Sequence, residues 1–180
     1  MEILPPTRRI RDSWYLGTAD AIYQNLRFIE SSHAEYVAIF GGDHIYKMDY
    51  SQMLAFHLES GAIATVAALE VPLKEASSFG IIQVDTDSRI IGFQEKPKDP
   101  TPVPHNPEVA FASMGIYTFN TREIVERLKD DAKKAGSSHD FGKDLIPYIV
   151  KHGKAVAHRF SASCVRSAQE AEAWIGVGRK

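Results

Sequence analysis

Two short runs of continuous hydrophobic residues constrain the fold of this chain more than any other feature. Residues 35–43 read EYVAIFGGD, and residues 63–71 form a second apolar run. Hydrophobicity that is continuous, rather than alternating, is typical of strands buried on both faces of a parallel sheet. Between these runs, apolar residues recur at helical spacing over 53–58, and Gly61 supplies a stop. The pattern predicts a β-α-β unit with a right-handed crossover.

The remaining segments predict an α/β domain whose sheet is mixed but mostly parallel and is flanked by helices. Thr18 is a candidate N-cap for a helix reaching Ile29, and Asn120 with Glu123 predicts a capping box before another helix. The other predicted elements are a hairpin of 79–84 and 89–94, a proline-rich loop over 97–109, strands over 112–119 and 155–160, and a helix over 142–150 that kinks or stops near Pro147, while residues 1–13 form an irregular lead-in.

Charge and cysteine content limit the class of partners. The chain has 21 Lys and Arg against 23 Asp and Glu, a net charge of −2, so no general attraction to nucleic acid or anionic membranes is expected. No apolar run approaches the roughly 20 residues of a membrane-spanning helix. Cys164 is the single cysteine, which excludes an internal disulfide and suits a reducing compartment. We therefore expect a cytoplasmic protein without nucleic-acid or membrane partners.

Asp43 follows two glycines at the carboxyl end of the first predicted strand. Ligands of open α/β sheets bind at this end of the strands, and a carboxylate there is suited to Mg²⁺. The alternative is that Asp43 only caps the next segment. Position by itself does not separate the two.

Gly17 stands directly before a predicted helix, in the segment WYLGTADA of residues 14–21. Exposed backbone N–H groups at such a helix start suit an anion or the polar edge of a base. The alternative is a packed turn with Trp14 in the core.

Glu95 and Lys96 end the predicted hairpin. A carboxylate accepts hydrogen bonds from sugar hydroxyls and an ammonium pairs with a phosphate, although such a neighbouring pair is more often a solvated surface. His139 and Asp140 form a conceivable acid–base pair, but capping by Asp140 and Asp144 with a packed His139 is favoured. A nucleophile elbow, zinc-type histidine spacing and a Walker A loop are all absent from the sequence.

Five segments together resemble the catalytic domain of the ADP-glucose pyrophosphorylase family, the glucose-1-phosphate adenylyltransferases. They occur in the family's order and span nearly the whole chain: WYLGTADA (14–21), GDHIYKMDY (42–50), FQEKP (93–97), ASMGIY (112–117) and SSHDFGKDLIP (137–147). The second and fifth segments favour the ADP-glucose branch over other sugar nucleotidyltransferases.

The resemblance implies a Rossmann-like nucleotidyltransferase fold and the Mg²⁺-dependent conversion of ATP and glucose 1-phosphate to ADP-glucose and pyrophosphate, in glycogen or starch synthesis. It assigns Asp43 as the catalytic magnesium ligand and Tyr15, Gly17 and Thr18 as nucleotide contacts. By the same resemblance, the glucose 1-phosphate site consists of Gly80, Glu95, Lys96 and Ser113.

Parts of the family pattern have no counterpart in residues 1–180. The Gly-rich loop G-G-x-G-x-R-L of the first βα unit and the C-terminal β-helix domain are not found, and Gly176 stands where a second metal-binding Asp is expected. The resemblance therefore implies a central fragment of the catalytic domain, weakly active or inactive alone, from a homo-oligomeric parent. Two alternatives stay open, namely a transferase of another nucleotide branch and a non-catalytic remnant that binds sugar phosphate.

Overall fold

A mixed β-sheet crosses the computed structural model, which describes residues 14–42 and 46–164. Within these residues the sheet contains six strands. They are β1 (Tyr36–Ile39), β2 (Ala64–Pro72), β3 (Gly80–Val84), β4 (Ile90–Glu95), β5 (Val109–Asn120) and β6 (Ala155–Arg159).

Helices flank this sheet. The α-helices of the described residues are α1 (Thr18–Tyr23), α2 (Leu26–Ser32), α3 (Tyr50–Ser60), α4 (Thr121–Asp131), α5 (Ile146–His152) and α6 (Phe160–Ser163). A 3₁₀ helix over Leu73–Ser78 precedes β3, and a π-helical turn over Phe141–Leu145 leads directly into α5. No helix in the described part of the chain is long and apolar enough to cross a membrane.

The α/β class with a mixed sheet is confirmed, but the strand pairing is more antiparallel than predicted. The order is β4-β3-β5-β2-β6, and β1 also pairs with β5. Four strands, β1, β2, β3 and β6, run in one direction, whereas β5 runs against them and lies between three of them. Because β5 separates these strands, only the β2–β6 pairing is parallel among the described pairs. The apolar run in β2 is buried as predicted, from Ala64 to Ala68. The prediction of burial on both faces is wrong for β1, where Ala38 is exposed and the other residues are only partly buried.

A bulge in β5 interrupts the sheet. Val66 pairs with Tyr117 and Ala68 with Ser113, so residues 114–116 of β5 oppose the single Ala67. Gly115 takes a left-handed φ of 67° there, a conformation that glycine adopts without a steric penalty. On the other edge of β5, β1 ends opposite Tyr117 and β3 begins near Ala112. The bulge therefore faces a gap between two strands that share one edge of β5.

The main core lies between this sheet and the helices on one face. It includes Phe111 and Phe119 of β5 together with Ile124 and Leu128 of α4, each at most 1% exposed. Burying such a side chain fully contributes about 1.5–3 kcal/mol to folding. This core fixes β5 against α4, and with it the position of the bulge.

Several helix boundaries differ from the sequence expectation. The helix predicted from Thr18 to Ile29 is two short helices, and its N-cap is Gly17 rather than Thr18. The α4 helix does begin after Asn120, but the Asn120 side chain does not cap it, because its Oδ1 accepts a hydrogen bond from His57 Nε2 at 2.8 Å. Pro147 lies in the first turn of α5, where it starts the helix rather than kinking or stopping it.

Candidate functional site

Glu95 and Lys96 lie at the end of the β3–β4 hairpin, beside the gap in the sheet. Gly80 pairs with Glu95 across the two strands. Lys96 has a left-handed φ of 45° and donates its backbone N–H to Phe79 O at 3.0 Å. Both the Glu95 and Lys96 residues are exposed. A left-handed lysine costs of order 1–2 kcal/mol, so the hairpin holds the chain in a turn that it would not adopt freely.

Ser113 lies at the start of the bulge, within reach of a buried tyrosine. The Ser113 hydroxyl accepts a hydrogen bond from the Gly115 N–H at 3.4 Å and lies close enough to Tyr117 to influence the pKa of its hydroxyl. Burial raises the pKa of Tyr117, the bond with Ser113 lowers it, and the negative charges of Asp140 and Glu95 raise it further. The Tyr117 side chain therefore lies in the field of two carboxylates that come from separate parts of the chain.

Asp140 joins the π-helical turn to Thr18, the first residue of α1. Its Oδ1 accepts hydrogen bonds from the N–H groups of Gly142 (2.9 Å) and Lys143 (3.0 Å), while its Oδ2 accepts one from the Thr18 hydroxyl at 3.0 Å. The Thr18 oxygen in turn accepts the N–H of Phe141 at 3.1 Å. Thr18 is thereby fixed next to the carboxylate that acts on Tyr117.

Gly17 is packed against the backbone of residues 138–139. A Cβ built on Gly17 would lie 2.3 Å from His139 O and 2.5 Å from Ser138 O, so only glycine fits. The N–H groups of Ala19 and Asp20 donate to His139 O, at 2.8 and 3.3 Å. The expectation of free N–H groups at this helix start is therefore wrong for these two residues, because a backbone carbonyl already satisfies them.

Tyr15 contacts its own helical segment rather than the hairpin. Its hydroxyl accepts a hydrogen bond from Asn25 Nδ2 at 3.2 Å. The neighbouring Trp14 is 70% exposed, so the alternative that placed Trp14 in the core is wrong. Tyr15 is three residues before Thr18 in the sequence. None of the hydrogen bonds described for Tyr15 joins it to Glu95 or Ser113.

The histidine and aspartates of 139–144 have structural roles, as favoured from the sequence. His139 Nδ1 lies 2.8 Å from Asp131 Oδ2, and both side chains are largely buried. Asp144 accepts hydrogen bonds from the Ser138 hydroxyl at 2.6 Å and from the N–H of Asp140 at 3.2 Å. Burial acts to raise the pKa of Asp144, but these hydrogen bonds outweigh it and hold the pKa below its usual value.

Asp43, the predicted metal ligand, lies outside the described residues, as does Gly176. The described chain leads toward Asp43 through Gly41 and Gly42, directly after β1. Within residues 14–42 and 46–164, no three His, Cys, Asp or Glu side chains lie close enough together to form a metal site.

The fold thus connects most of the predicted residues through two side chains that sequence reasoning did not assign. Ser113, Glu95 and Asp140 each influence the pKa of Tyr117, and Asp140 also accepts a hydrogen bond from Thr18. Tyr117 stands four residues after Ser113, but the bulge, invisible in the sequence, determines that the two meet. Chemically, the group offers carboxylates and hydroxyls for a polyol and one ammonium for a phosphate.

Comparison with known proteins agrees with this chemistry. The sequence profile described as "Nucleotidyl transferase" matches residues 2–180. The chain belongs to the nucleotidyl transferase family. Such enzymes generally use a divalent metal ion.

Individual nucleotidyl transferases match almost the entire chain. Proteins named glucose-1-phosphate adenylyltransferase from Rhodopseudomonas palustris and Rhizobium rhizogenes are 56% and 57% identical over 179 residues, and one from Bradyrhizobium diazoefficiens is 53% identical. Each alignment covers 98% of this chain and 43% of the relative. The chain therefore spans less than half the length of the curated relatives that it matches.

Proposed function

We propose that this chain carries part of the active site of a glucose-1-phosphate adenylyltransferase, which converts ATP and glucose 1-phosphate to ADP-glucose and pyrophosphate in glycogen or starch synthesis. The observation that carries the proposal is an identity of 53–57% over 98% of the chain to relatives with that name. The grouping of Glu95, Ser113 and Thr18 around Tyr117 and Asp140 supports it.

Glucose 1-phosphate would bind at the gap in the sheet. Glu95 and Ser113 would accept and donate hydrogen bonds to the sugar hydroxyls, and the Lys96 ammonium would pair with the phosphate. Gly80 lines the same place because it faces Glu95 across the hairpin. The left-handed turn at Lys96 supports the proposal, since backbone strain of this kind is concentrated at functional sites.

The nucleotide would bind on the side of Thr18. Because the N–H groups of Ala19 and Asp20 are already satisfied, contacts would come from the Gly17 backbone, the Thr18 side chain and the Tyr15 ring. The hydrogen bond from the Thr18 hydroxyl to Asp140 would then hold the nucleotide side in register with the sugar side.

The reaction is an in-line displacement at the α-phosphorus of ATP. A phosphate oxygen of glucose 1-phosphate forms the new bond to that phosphorus, the bond to the bridging oxygen breaks, and pyrophosphate leaves with that oxygen. The residues described here would act by binding and orientation, while Lys96 offsets the charge of the attacking phosphate. Bound Mg²⁺, held by Asp43 and phosphate oxygens, would neutralise charge on the transferred group.

Slow or absent turnover is expected for the 180-residue chain, because Asp43 is the only carboxylate that the resemblance assigns to the metal. We further propose a cytoplasmic location, in keeping with the single Cys164, and a homo-oligomeric full-length protein. ATP is the proposed nucleotide, and UTP, dTTP and GTP are the comparison substrates for any turnover assay.

Calorimetric titration with glucose 1-phosphate tests the sugar-phosphate site. We expect binding by the unsubstituted chain and at least about tenfold weaker binding by Lys96→Ala, which corresponds to about 1.4 kcal/mol for the loss of one charged hydrogen bond. Lys98→Ala, two residues away and also exposed, is the matched control and should bind normally. Absence of binding, or equal binding by both variants, would contradict the assignment of Lys96.

A further inference from the structure

The ring of Phe93 lies between the two parts of the candidate site. Phe93 is half-buried in β4, opposite Ile82 of β3. A Cβ built on Gly80 would lie 2.7 Å from Phe93 Cζ and 3.3 Å from Cε1, and one built on Gly142 would lie 3.3 and 3.4 Å from the same two atoms. The end of one ring therefore fills the space that two glycines leave open, one in the hairpin and one in the π-helical turn.

Each of these glycines lies beside a carboxylate of the site. The Cβ built on Gly80 would be 3.2 Å from Glu95 Oε2, and the Cβ built on Gly142 would be 3.4 Å from Asp140 Oδ1. Both glycines, each with a carboxylate oxygen beside it, therefore lie against the same end of the Phe93 ring. The charges of both carboxylates raise the pKa of the Tyr117 hydroxyl, in keeping with positions near one another.

We propose that Phe93 is a positioning residue that sets the separation of Glu95 and Asp140, and hence the fit of the site to glucose 1-phosphate. The choice of glucose 1-phosphate as the ligand rests on the proposed function. The role of Phe93 in separating Glu95 and Asp140 rests only on the geometry. Phe93 touches neither substrate nor metal in this role. It acts because its rigid ring keeps the hairpin and the π-helical turn apart by a fixed distance.

The same geometry gives a reason for glycine at position 80 that is independent of any ligand contact. A methyl group there would overlap the Phe93 ring and crowd the Glu95 carboxylate. Removal of the ring end should relieve this overlap. A double substitution, Phe93→Leu with Gly80→Ala, should therefore be less harmful than the two single substitutions predict.

The test compares Phe93→Leu, Gly80→Ala and the double variant of the 180-residue chain by calorimetry with glucose 1-phosphate. We expect each single substitution to raise Kd about threefold to tenfold and the double variant to stay within about threefold of the original Kd, since contacting residues couple. Phe160→Leu, in a separate hydrophobic cluster with Met48 and Met53, is the control for loss of a core ring and should leave Kd unchanged.

The carboxyl ¹³C resonances of Glu95 and Asp140 provide a readout that needs no ligand. Both should shift in Phe93→Leu and return toward their original positions in the double variant, while Phe160→Leu moves neither. If glucose 1-phosphate does not bind the original chain, the proposed function fails and these resonances alone decide the role of Phe93. The positioning role would be overturned if the increases in Kd from the two single substitutions were additive in the double variant. It would also be overturned if the carboxyl resonances did not shift in Phe93→Leu.

Discussion

The close approach of Gly17 to the backbone of residues 138–139 makes Gly17→Ala the sharpest test of how the site is assembled. The new methyl group would lie 2.3 Å from His139 O and 2.5 Å from Ser138 O. Neither atom belongs to a flexible side chain, so α1 and the segment before the π-helical turn must separate. At a φ of −173° the backbone itself accepts alanine, so the whole effect comes from this overlap.

The cost follows from the hydrogen bonds that such a separation breaks. Ala19 and Asp20 would each lose a bond to His139 O, at about 1 kcal/mol per bond, and Thr18 would lose its bond to the Asp140 carboxylate, at about 1.5–3 kcal/mol. The sum is about 3.5–5 kcal/mol, a large part of the roughly 5–15 kcal/mol that stabilises a typical domain.

Chemical denaturation of the two chains measures this difference directly. Gly42→Ala is the matched control, because a Cβ at Gly42 meets nothing within 4 Å. Its free energy of unfolding should stay within about 1 kcal/mol of the original, as expected for a Gly-to-Ala change without strain. A Gly17→Ala chain that is destabilised by no more than this control would refute the packing argument.

Three further predictions concern ionisation and the buried tyrosine. Burial lowers the pKa of His57, so the unfolded chain binds the proton more readily than the folded chain. The free energy of unfolding should therefore fall as the pH drops below about 6.5. His57→Gln should weaken this pH dependence, whereas the control His105→Gln, at an exposed position, should leave it unchanged. Burial raises the pKa of Asp144, but its hydrogen bonds lower it by more, so the charged carboxylate stabilises the folded chain. Asp144→Asn should therefore reduce the free energy of unfolding by under about 1 kcal/mol above pH about 3.9, and by less as the pH falls further. Urea unfolding at pH 7 and pH 3 measures the difference. Tyr117→Phe should raise the Kd for glucose 1-phosphate about threefold to tenfold by calorimetry, whereas Tyr148→Phe on the outer surface should not; an unchanged Kd in Tyr117→Phe would remove that hydroxyl from the site.

The sequence pattern predicts the burial of β2 correctly but not the partial exposure of β1, and it does not predict which strands are neighbours. Continuous hydrophobicity over Ala64–Ala68 correctly indicates burial on both faces. It does not reveal that β5 lies between strands that all run antiparallel to it. The reason is that a hydrophobic pattern indicates burial and does not identify the partner strand. Similarly, Asn120 is a residue type that commonly caps helices, but its side-chain oxygen accepts a hydrogen bond from His57, 63 positions earlier in the chain.

The candidate site shows the same division between local and tertiary information. The family resemblance selects Thr18, Glu95 and Ser113, and capping chemistry identifies Asp140 as the start of a helical turn. The bond between Thr18 and Asp140 joins residues 122 positions apart, and the meeting of Ser113 with Tyr117 depends on a bulge. Such contacts follow from packing, so a single sequence carries little trace of them.

Asp140 also restricts how this region can evolve. One of its oxygens caps the start of the π-helical turn, and the other accepts the hydrogen bond from the Thr18 hydroxyl, so the two oxygens have different structural roles. Asparagine retains only one acceptor oxygen, and glutamate moves both by an additional methylene group. The formation of the π-helical turn and the position of the proposed nucleotide contact Thr18 therefore depend on the same carboxylate.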